Sequence, residues 1–353
     1  MALYMDIHVV DTENFSVEDV VKAHMEDLAI QDKFGVTQLK YWVNEPAKTL
    51  FCLMEGPSKE ACNEVHVQSH GNTACNIIEV SDNEYNLFMG QGTDVNDLAH
   101  TSSGVIDTGY RTILLVHALS LSDSSSQYMD DVQKAISAHE GSIILEPNNK
   151  IMGSFIYASD AIKCAEAIQG IFGAFGDEIR YSLALESGRP VDEEGDDFFE
   201  QTKLKVMSLC SLGFNNRLFL NMSTQVLAQK EGEVSDIILE KFNLLNEDEI
   251  KLLVNVAKLI SDNFDQTKFT SQHLIDHLGL SKSQAYRMLK SLTGFAPNQL
   301  IQEYRLQKSL DLLQAGGHTV SEAAYDSGFN SPTYFTRTFK AKYGLTPKAI
   351  LRK

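Results

Sequence analysis

The stretch that decides the fold is Thr319-Val-Ser-Glu-Ala-Ala-Tyr-Asp-Ser-Gly-Phe329 followed by Ser331-Pro-Thr-Tyr-Phe-Thr-Arg-Thr-Phe-Lys340. Its first part predicts a short helix and a tight turn at Gly328. Its second part predicts another short helix, capped by Ser331, with Pro332 at the first helical position, where a missing N–H costs nothing. The same grammar occurs upstream, in Phe269-Thr-Ser-Gln-His-Leu-Ile-Asp-His-Leu-Gly-Leu280 and Ser281-Lys-Ser-Gln-Ala-Tyr-Arg-Met-Leu-Lys290. There Leu274, Ile275 and Leu278 fall at helical spacing, Gly279 marks the turn and Ser281 caps the next helix. Between the two units, Pro297 to Gln314 predicts one amphipathic helix carrying Tyr304, Leu306, Leu310 and Leu313, stopped by Gly316-Gly317. Two helix-turn-helix units on a rigid spacer suit double-stranded DNA. Each second helix can lie in the major groove, and the pair can enter two successive groove segments on one face.

The charge balance supports a division of labour. The chain carries 30 Lys+Arg against 48 Asp+Glu, a net of −18. Residues 247–353 hold 14 basic and 10 acidic residues, a net of +4, which leaves 16 basic and 38 acidic residues in 1–246, a net of −22. The acidic part repels DNA and points to sensing or assembly. In the basic part, Lys282, Arg287, Lys290, Arg337, Lys340 and Lys342 lie on or beside the proposed reading helices.

The run Ser321-Glu-Ala-Ala-Tyr-Asp-Ser-Gly-Phe-Asn-Ser-Pro-Thr-Tyr-Phe-Thr-Arg-Thr-Phe-Lys-Ala-Lys-Tyr-Gly-Leu-Thr-Pro347 resembles the signature of AraC/XylS-family transcription regulators. The resemblance implies base readout by Ser283, Gln284, Tyr286 and Arg287 in the first unit. In the second it implies Pro332, Thr333, Thr336 and Arg337. Pro332 and Tyr334 cannot make the bidentate amide contacts of Asn or Gln, so the second helix is expected to read more by shape and phosphate contact.

Residues 1–80 scan as strand, helix, strand, strand, helix, strand, the order of a ferredoxin-like α+β unit. Met5 to Val10 is the first strand, and Ser16 caps a helix running to Gln31. Thr37 to Val43 and Thr49 to Met54 pair across a turn, Pro57-Ser58 opens the second helix, and Asn76 to Val80 closes the sheet. Four borderline-to-soft metal ligands fall here: His24, Cys52, His66 and His70. His66 and His70 are four apart and share a helical face, and Cys52 lies on a strand expected to pack on that helix. Lys22-Ala-His-Met-Glu-Asp-Leu-Ala-Ile-Gln31, Phe51-Cys-Leu-Met-Glu-Gly-Pro57 and Val65-His-Val-Gln-Ser-His-Gly71 resemble a small ferredoxin-like nickel-binding family. That resemblance implies a metal site. Thiolate and imidazole suit Ni, Zn or Cu, and sequence does not choose among them. Cys62 and Cys75 read as apolar fillers.

Residues 81–109 are polar and read as a linker. Regular structure is expected to resume at Arg111: a strand over 112–119, a helix over 125–139, a hairpin of 141–145 and 151–157, a helix over 159–175, a strand over 180–185, a helix over 198–212 and a strand over 217–221. This succession, with Arg111-Thr-Ile-Leu-Leu115 and Ala161-Ile-Lys-Cys-Ala-Glu-Ala-Ile-Gln169, resembles class III nucleotide cyclase domains. The two metal-binding carboxylates of that family fall at His117 and Asn149, and its transition-state residues at Gln201 and Lys205. A neutral amide and an imidazole cannot replace two bridging carboxylates, so no cyclase chemistry is expected. What the resemblance leaves is dimerisation or a small ligand in the old cleft.

Together these readings give a multidomain chain, α+β and all-α. Residues 1–80 are expected to form a ferredoxin-like metal-binding domain, 81–109 a linker, 110–235 a catalytically degenerate cyclase-like α+β domain, and 245–353 an all-α double helix-turn-helix domain. The expected function is a non-enzymatic transcription regulator that binds double-stranded DNA, answers a metal or small-molecule effector, and pairs as a homodimer. The rival is a nucleotide-acting enzyme localised by its DNA-binding part. Paired carboxylates at the cyclase positions, a P-loop and a nucleophile elbow are all missing, which disfavours it. A metal-buffering protein would need many more than four ligands. The five cysteines are odd in number and irregularly spaced, no run of 18 apolar residues occurs and the first residues lack a basic, then apolar, leader. These features predict a cytoplasmic protein with reduced thiols and no membrane span.

Overall fold

The computed structural model describes residues 1–11, 15–90, 92–120, 125–146, 150–232 and 234–351. The N-terminal region runs β1 (Ala2–Val9), α1 (Val17–Ile30), β2 (Thr37–Asn44), β3 (Thr49–Gly56), α2 (Lys59–Ser69) and β4 (Asn76–Val80). The strands order β4-β1-β3-β2, each pair antiparallel. Ser16 and Ser58 accept from Asp19 N and Ala61 N, which fixes where α1 and α2 start. Both faces of this sheet are covered. Met5, Ile7, Trp42 and Phe51 join the core shared with the rest of the chain, while Tyr4, Tyr41, Cys52 and Met54 pack under the helices.

The stretch 81–109 read as a linker is regular structure. It forms α3 (Asp82–Met89), β5 (Thr93–Val95) and β6 (Leu98–His100). β6 adds to the N-terminal sheet beside β2, where Tyr41 pairs with Leu98. Phe88 and Met89 are buried, and the wholly buried Arg111 fastens the end of the segment. Its guanidinium donates to Asp107 Oδ1 and Oδ2 at 2.9 and 2.7 Å and to Phe88 O at 3.2 Å. The polar composition that suggested a linker satisfies turns and this ion pair instead.

The middle region comprises β7 (Arg111–Ser120), α4 (Ser125–Ala138), β8 (Ser142–Glu146), β9 (Lys150–Phe155), α5 (Ala158–Ala174), β10 (Ile179–Gly188), α6 (Glu200–Ser211), β11 (Arg217–Asn221), α7 (Met222–Glu231), α8 (Asp236–Leu239) and β12 (Asn243–Leu245). The sheet order is β12-β11-β10-β7-β9-β8, with β10, β11 and β12 parallel and the other pairs antiparallel. α4, α5 and α7 cover one face; α6 covers the other.

The C-terminal region is all helix: α9 (Glu247–Ser261), α10 (Ser271–His277), α11 (Lys282–Thr293), α12 (Pro297–Ala315), α13 (Val320–Asp326), α14 (Pro332–Tyr343) and α15 (Pro347–Ile350). α10–α11 and α13–α14 are the two units and α12 is the spacer. Ser281 and Ser331 accept from Gln284 N and Tyr334 N, so the caps fall where the sequence places them. At the second turn Gly328 has φ +79°, and a Cβ there would stand 2.0 Å from Phe264 O, so only glycine lets the turn pack on α9's end. No helix among the described residues is long and apolar enough to cross a membrane.

Candidate metal pocket and DNA-reading face

Strand alternation puts Asp6 and His8 on the same face of β1, turned under α1 and α2, with Cys52 beside them on β3. His66 hangs from α2 onto that group, and Asp27 reaches it from α1. His66 Nε2 lies 2.9 Å from Asp6 Oδ2 and its Nδ1 lies 2.9 Å from Asp27 Oδ2. His8 Nε2 is 3.1 Å from Asp6 Oδ2, and His70 Nε2 is 3.3 Å from Asp27 Oδ1. Ser69 Oγ donates to Asp27 Oδ1 at 2.5 Å. Two donor groups result: Asp6, His8, Cys52 and His66, and Asp27, His66 and His70, each with its ligand atoms within 4.8 Å of one another. Asp27, His8, Cys52, His66 and His70 also line a cavity of about 640 Å³.

Of the four ligands expected from sequence, Cys52 and His66 fall in the first group and His66 and His70 in the second, so Cys52 and His70 share no group. His24 does not enter either group. It lines the same cavity, but its ring lies tilted against that of Tyr41, centres 4.4 Å apart, and its Nε2 pairs with Asp97 Oδ2 at 3.1 Å. Its buried Nδ1 has no partner among the described residues. Asp6, His8 and Asp27 were not singled out in the sequence. The available signal was Asp6-Ile-His8, an acid and an imidazole at strand spacing inside an apolar strand, where an unpaired charge is too costly to be incidental.

The electrostatics are those of a compensated buried cluster. Burial alone would raise the Asp6 carboxyl, but His8 and His66 outweigh it and hold Asp6 well below the usual carboxylate range. Burial likewise opposes charge on His66, yet hydrogen bonds to Asp27 and Asp6 raise its pKa to about 10. Cys52 is pushed up by burial and by Asp6 and Asp27, so it is a thiol here. The donor chemistry fits a borderline transition metal. Two imidazoles, a thiol and a carboxylate converge, and a cation there would meet the ionised Asp6 carboxylate.

On the C-terminal region the geometry is the reverse. α11 buries Ala285, Leu289 and Thr293, and α14 buries Phe335, Phe339 and Tyr343, one stripe each at i, i+4, i+8. Lys282, Ser283, Gln284, Tyr286, Arg287 and Lys290 are exposed on α11; Thr333, Arg337 and Lys340 are exposed and Pro332 and Thr336 half-buried on α14. Gln284 Oε1 accepts from Ser281 N at 3.0 Å, so it serves the cap in the DNA-free chain. Lys290 Nζ donates to Gly294 O at 2.6 Å. Arg337 lies over the Tyr334 ring, 5.5 Å from its centre. Lys342, counted with the basic groups beside the reading helices, turns inward: its Nζ lies 2.6 Å from Glu303 Oε2 and 3.3 Å from Phe214 O.

Of the residues singled out in the middle region, His117 is buried with its ring 4.5 Å from that of Phe214. Burial, with Lys150 nearby, lowers its pKa to about 3, so it is a neutral imidazole. Lys205 pairs with Glu186 and Glu247, both at 2.9 Å, and Glu186 also accepts from Asn221 Nδ2. Asn149 lies outside the described residues.

The C-terminal fold and its exposed stripe define a helix-turn-helix domain, and residues 274–353 match the family model of that description. The N-terminal fold and donor cluster coincide with a match of residues 4–80 to the nickel responsive protein SCO4226-like family. The chain thus joins an N-terminal domain similar to the SCO4226-like family to an AraC-type helix-turn-helix domain. Among curated relatives, the histidine kinase P4 of Formosa agariphila is 34% identical over 97 residues, 28% of this chain and 7% of that protein. The HTH-type transcriptional activator RhaS of Mannheimia succiniciproducens is 23% identical over 157 residues, 37% of this chain and 59% of that protein. Among solved structures, SCO4226 of Streptomyces coelicolor is 34% identical, covering 22% of this chain and 95% of that one with a TM-score of 0.21. The chain spans less than two thirds of the length of the curated relatives it matches.

Proposed function

We propose that the chain is a sequence-specific transcription regulator of the AraC/XylS type whose N-terminal region senses a transition metal. The observation that carries this reading is the exposed row Lys282, Ser283, Tyr286 and Arg287 on α11 with Thr333 and Arg337 on α14, two free helical faces held on one spacer. Selection of duplexes with the full chain, followed by fluorescence anisotropy, tests it. A selected duplex bound no better than random DNA at physiological salt would sink it.

In this reading the division is 1–80, extended by the folded segment 81–109 whose β6 joins its sheet, then 110–235 and 245–353. Asp27 accepts from His66 Nδ1, which would leave Nε2 to a cation shared with His8, Cys52 and Asp6, an orientation commonly seen around bound metals. The bound ion would supply positive charge in place of protons, and nickel is the first candidate, with zinc and copper behind it. The larger cavity also leaves room for a small-molecule effector. What supports a link from the pocket to the middle region is Asn76, paired in β4 with Ile7 between Asp6 and His8. Its Nδ2 donates to Asp192 O and Gly195 O, both at 2.9 Å, in the segment that leads into α6. Titration of the full chain with Ni, Zn and Cu salts should show about one site, lost in His66→Ala.

The middle region is read as a cyclase-like module without catalysis. His117 buried under Phe214 and Lys205 tied to two carboxylates support that reading. With Mg or Mn and ATP or GTP, no cyclic nucleotide should form. A homodimer in the cytoplasm completes the proposal. Its support is the resemblance of the middle region to domains that pair, and light scattering checks it.

A further inference from the structure

One five-residue segment of the middle region, 213–217, touches both helix-turn-helix units. It connects α6 to β11 and is anchored to the sheet by Asn216, whose N–H donates to Tyr181 O at 2.9 Å and whose Oδ1 accepts from Tyr181 N at 3.2 Å. On the first unit it meets the C-terminal end of α11. Asn215 Nδ2 donates to Thr293 O at 2.5 Å, and Arg217 Nη1 donates to Leu292 O at 2.9 Å and Ser291 O at 3.2 Å. A guanidinium on these carbonyls satisfies groups that the helix leaves open and complements its negative end. On the second unit the contact is apolar. Phe214 packs into the cluster of Leu310, Phe335, Phe339 and Tyr343, and its carbonyl accepts from Lys342 at the last turn of α14.

The approach is close enough to demand glycine. Gly213 has φ +122°, and a Cβ there would stand 2.7 Å from the Phe295 ring and 3.3 Å from Glu303 Cβ. Lys342 ties the junction together, since it pairs with Glu303 on α12 and lies 5.3 Å from the centre of the Phe295 ring. The two reading helices are therefore braced twice, once by α12 within the C-terminal region and once by this segment from outside it. A single strut fixes a distance. A second contact on the far ends of α11 and α14 also fixes their relative rotation.

We propose that residues 213–217, chiefly Arg217 and Asn215, are positioning residues for DNA readout, so that the middle region sets the base-pair spacing between the two groove segments the protein accepts. None of these residues faces the reading surface; they act through the helices they hold. The proposal rests on the DNA-binding reading above. In B-DNA, one inserted base pair between the segments moves the second by about 3.4 Å and rotates it by about a tenth of a turn, which a rigid pair of helices cannot follow.

The test uses the full chain and a set of selected duplexes with zero, one or two base pairs inserted or removed between the two contacted segments. For the wild type, one inserted base pair should weaken binding by roughly tenfold or more, as the base contacts of one unit go out of register. For Arg217→Ala and for Asn215→Ala, that penalty should fall to about threefold or less, with Arg217→Lys restoring much of the wild-type profile. A merely structural role would lower affinity for every spacing alike. If Arg217→Ala fails to fold by its melting curve, Asn215→Ala decides. A spacing penalty unchanged in the folded variants overturns the proposal while leaving DNA binding intact. A wild type that binds no selected duplex overturns the DNA-binding reading and this proposal with it.

Discussion

The N-terminal pocket and the reading face of α11 and α14 place polar side chains in opposite ways. In the pocket, Asp6, Asp27 and His66 are all nearly excluded from water and satisfy one another. On α11, Arg287 and Lys282 are exposed, and the helix is held by Ala285 and Leu289 beneath them. The difference teaches where function and stability are tied. A buried charge cannot be removed without stranding its partner, whereas an exposed one can be lost with the fold intact.

Asp6→Ala should produce the largest effect. It strands His66 and His8 without their shared carboxylate and should cost about 3–5 kcal/mol of stability in urea unfolding, the usual result of breaking a buried pair. A cost below about 1 kcal/mol would mean water already compensates these charges. Arg287→Ala is the opposite case. It should weaken the selected duplex by about 1–3 kcal/mol in anisotropy while moving stability by no more than about 0.5 kcal/mol. If stability falls as much as affinity, the contrast between the two regions fails.

His117 sharpens the comparison from a third position, because it is buried like His66 but lacks a carboxylate. His66 is raised to about 10 by two acids, and His117 is lowered to about 3 by burial and nearby lysines. The unfolded chain, with a histidine near 6.5, binds a proton that folded His117 refuses, so this contribution to stability is lost as pH falls below about 6.5. At pH 5.5 the loss should be about 1.4 kcal/mol relative to pH 8, and His117→Leu should remove that part of the slope. A chemical-denaturation series against pH measures it; identical slopes in both proteins would refute the assignment. The smallest effect is expected at Lys290. Its ammonium rests on Gly294 O in the DNA-free chain. Lys290→Ala should weaken all duplexes alike and reduce the slope of log K against log salt by about 0.9, one phosphate's worth.

Much of this was legible in the chain, for a reason that particular residues make plain. Ser281, Ser331, Pro332 and Gly328 act within one or two turns of themselves, so the double helix-turn-helix could be read from local caps and periods. Cys52, His66 and His70 could be read as donors because of their type and spacing. Asp6 and His8 were missed because β1 is buried on both faces. With six consecutive buried residues, alternation no longer separates a functional face from a packing face. The stretch 81–109 was read as a linker from its polar composition, and only the fold shows one of its polar groups, Asp107, paired with Arg111 and buried.

The sequence by itself determined the helices, the caps and the exposed rows of α11 and α14, because i to i+4 spacing carries side-chain direction without any other part of the chain. Only the tertiary structure decided which donors share the pocket, that His24 pairs with Asp97, that Lys342 faces Glu303 and that residues 213–217 brace both units. Those outcomes depend on strand register and on contacts between residues far apart in sequence, such as His66 with Asp6 at 60 positions and Arg217 with Leu292 at 75. No local signal encodes such pairs, because the free energy that selects them comes from burying apolar faces and compensating charges once the chain has closed on itself.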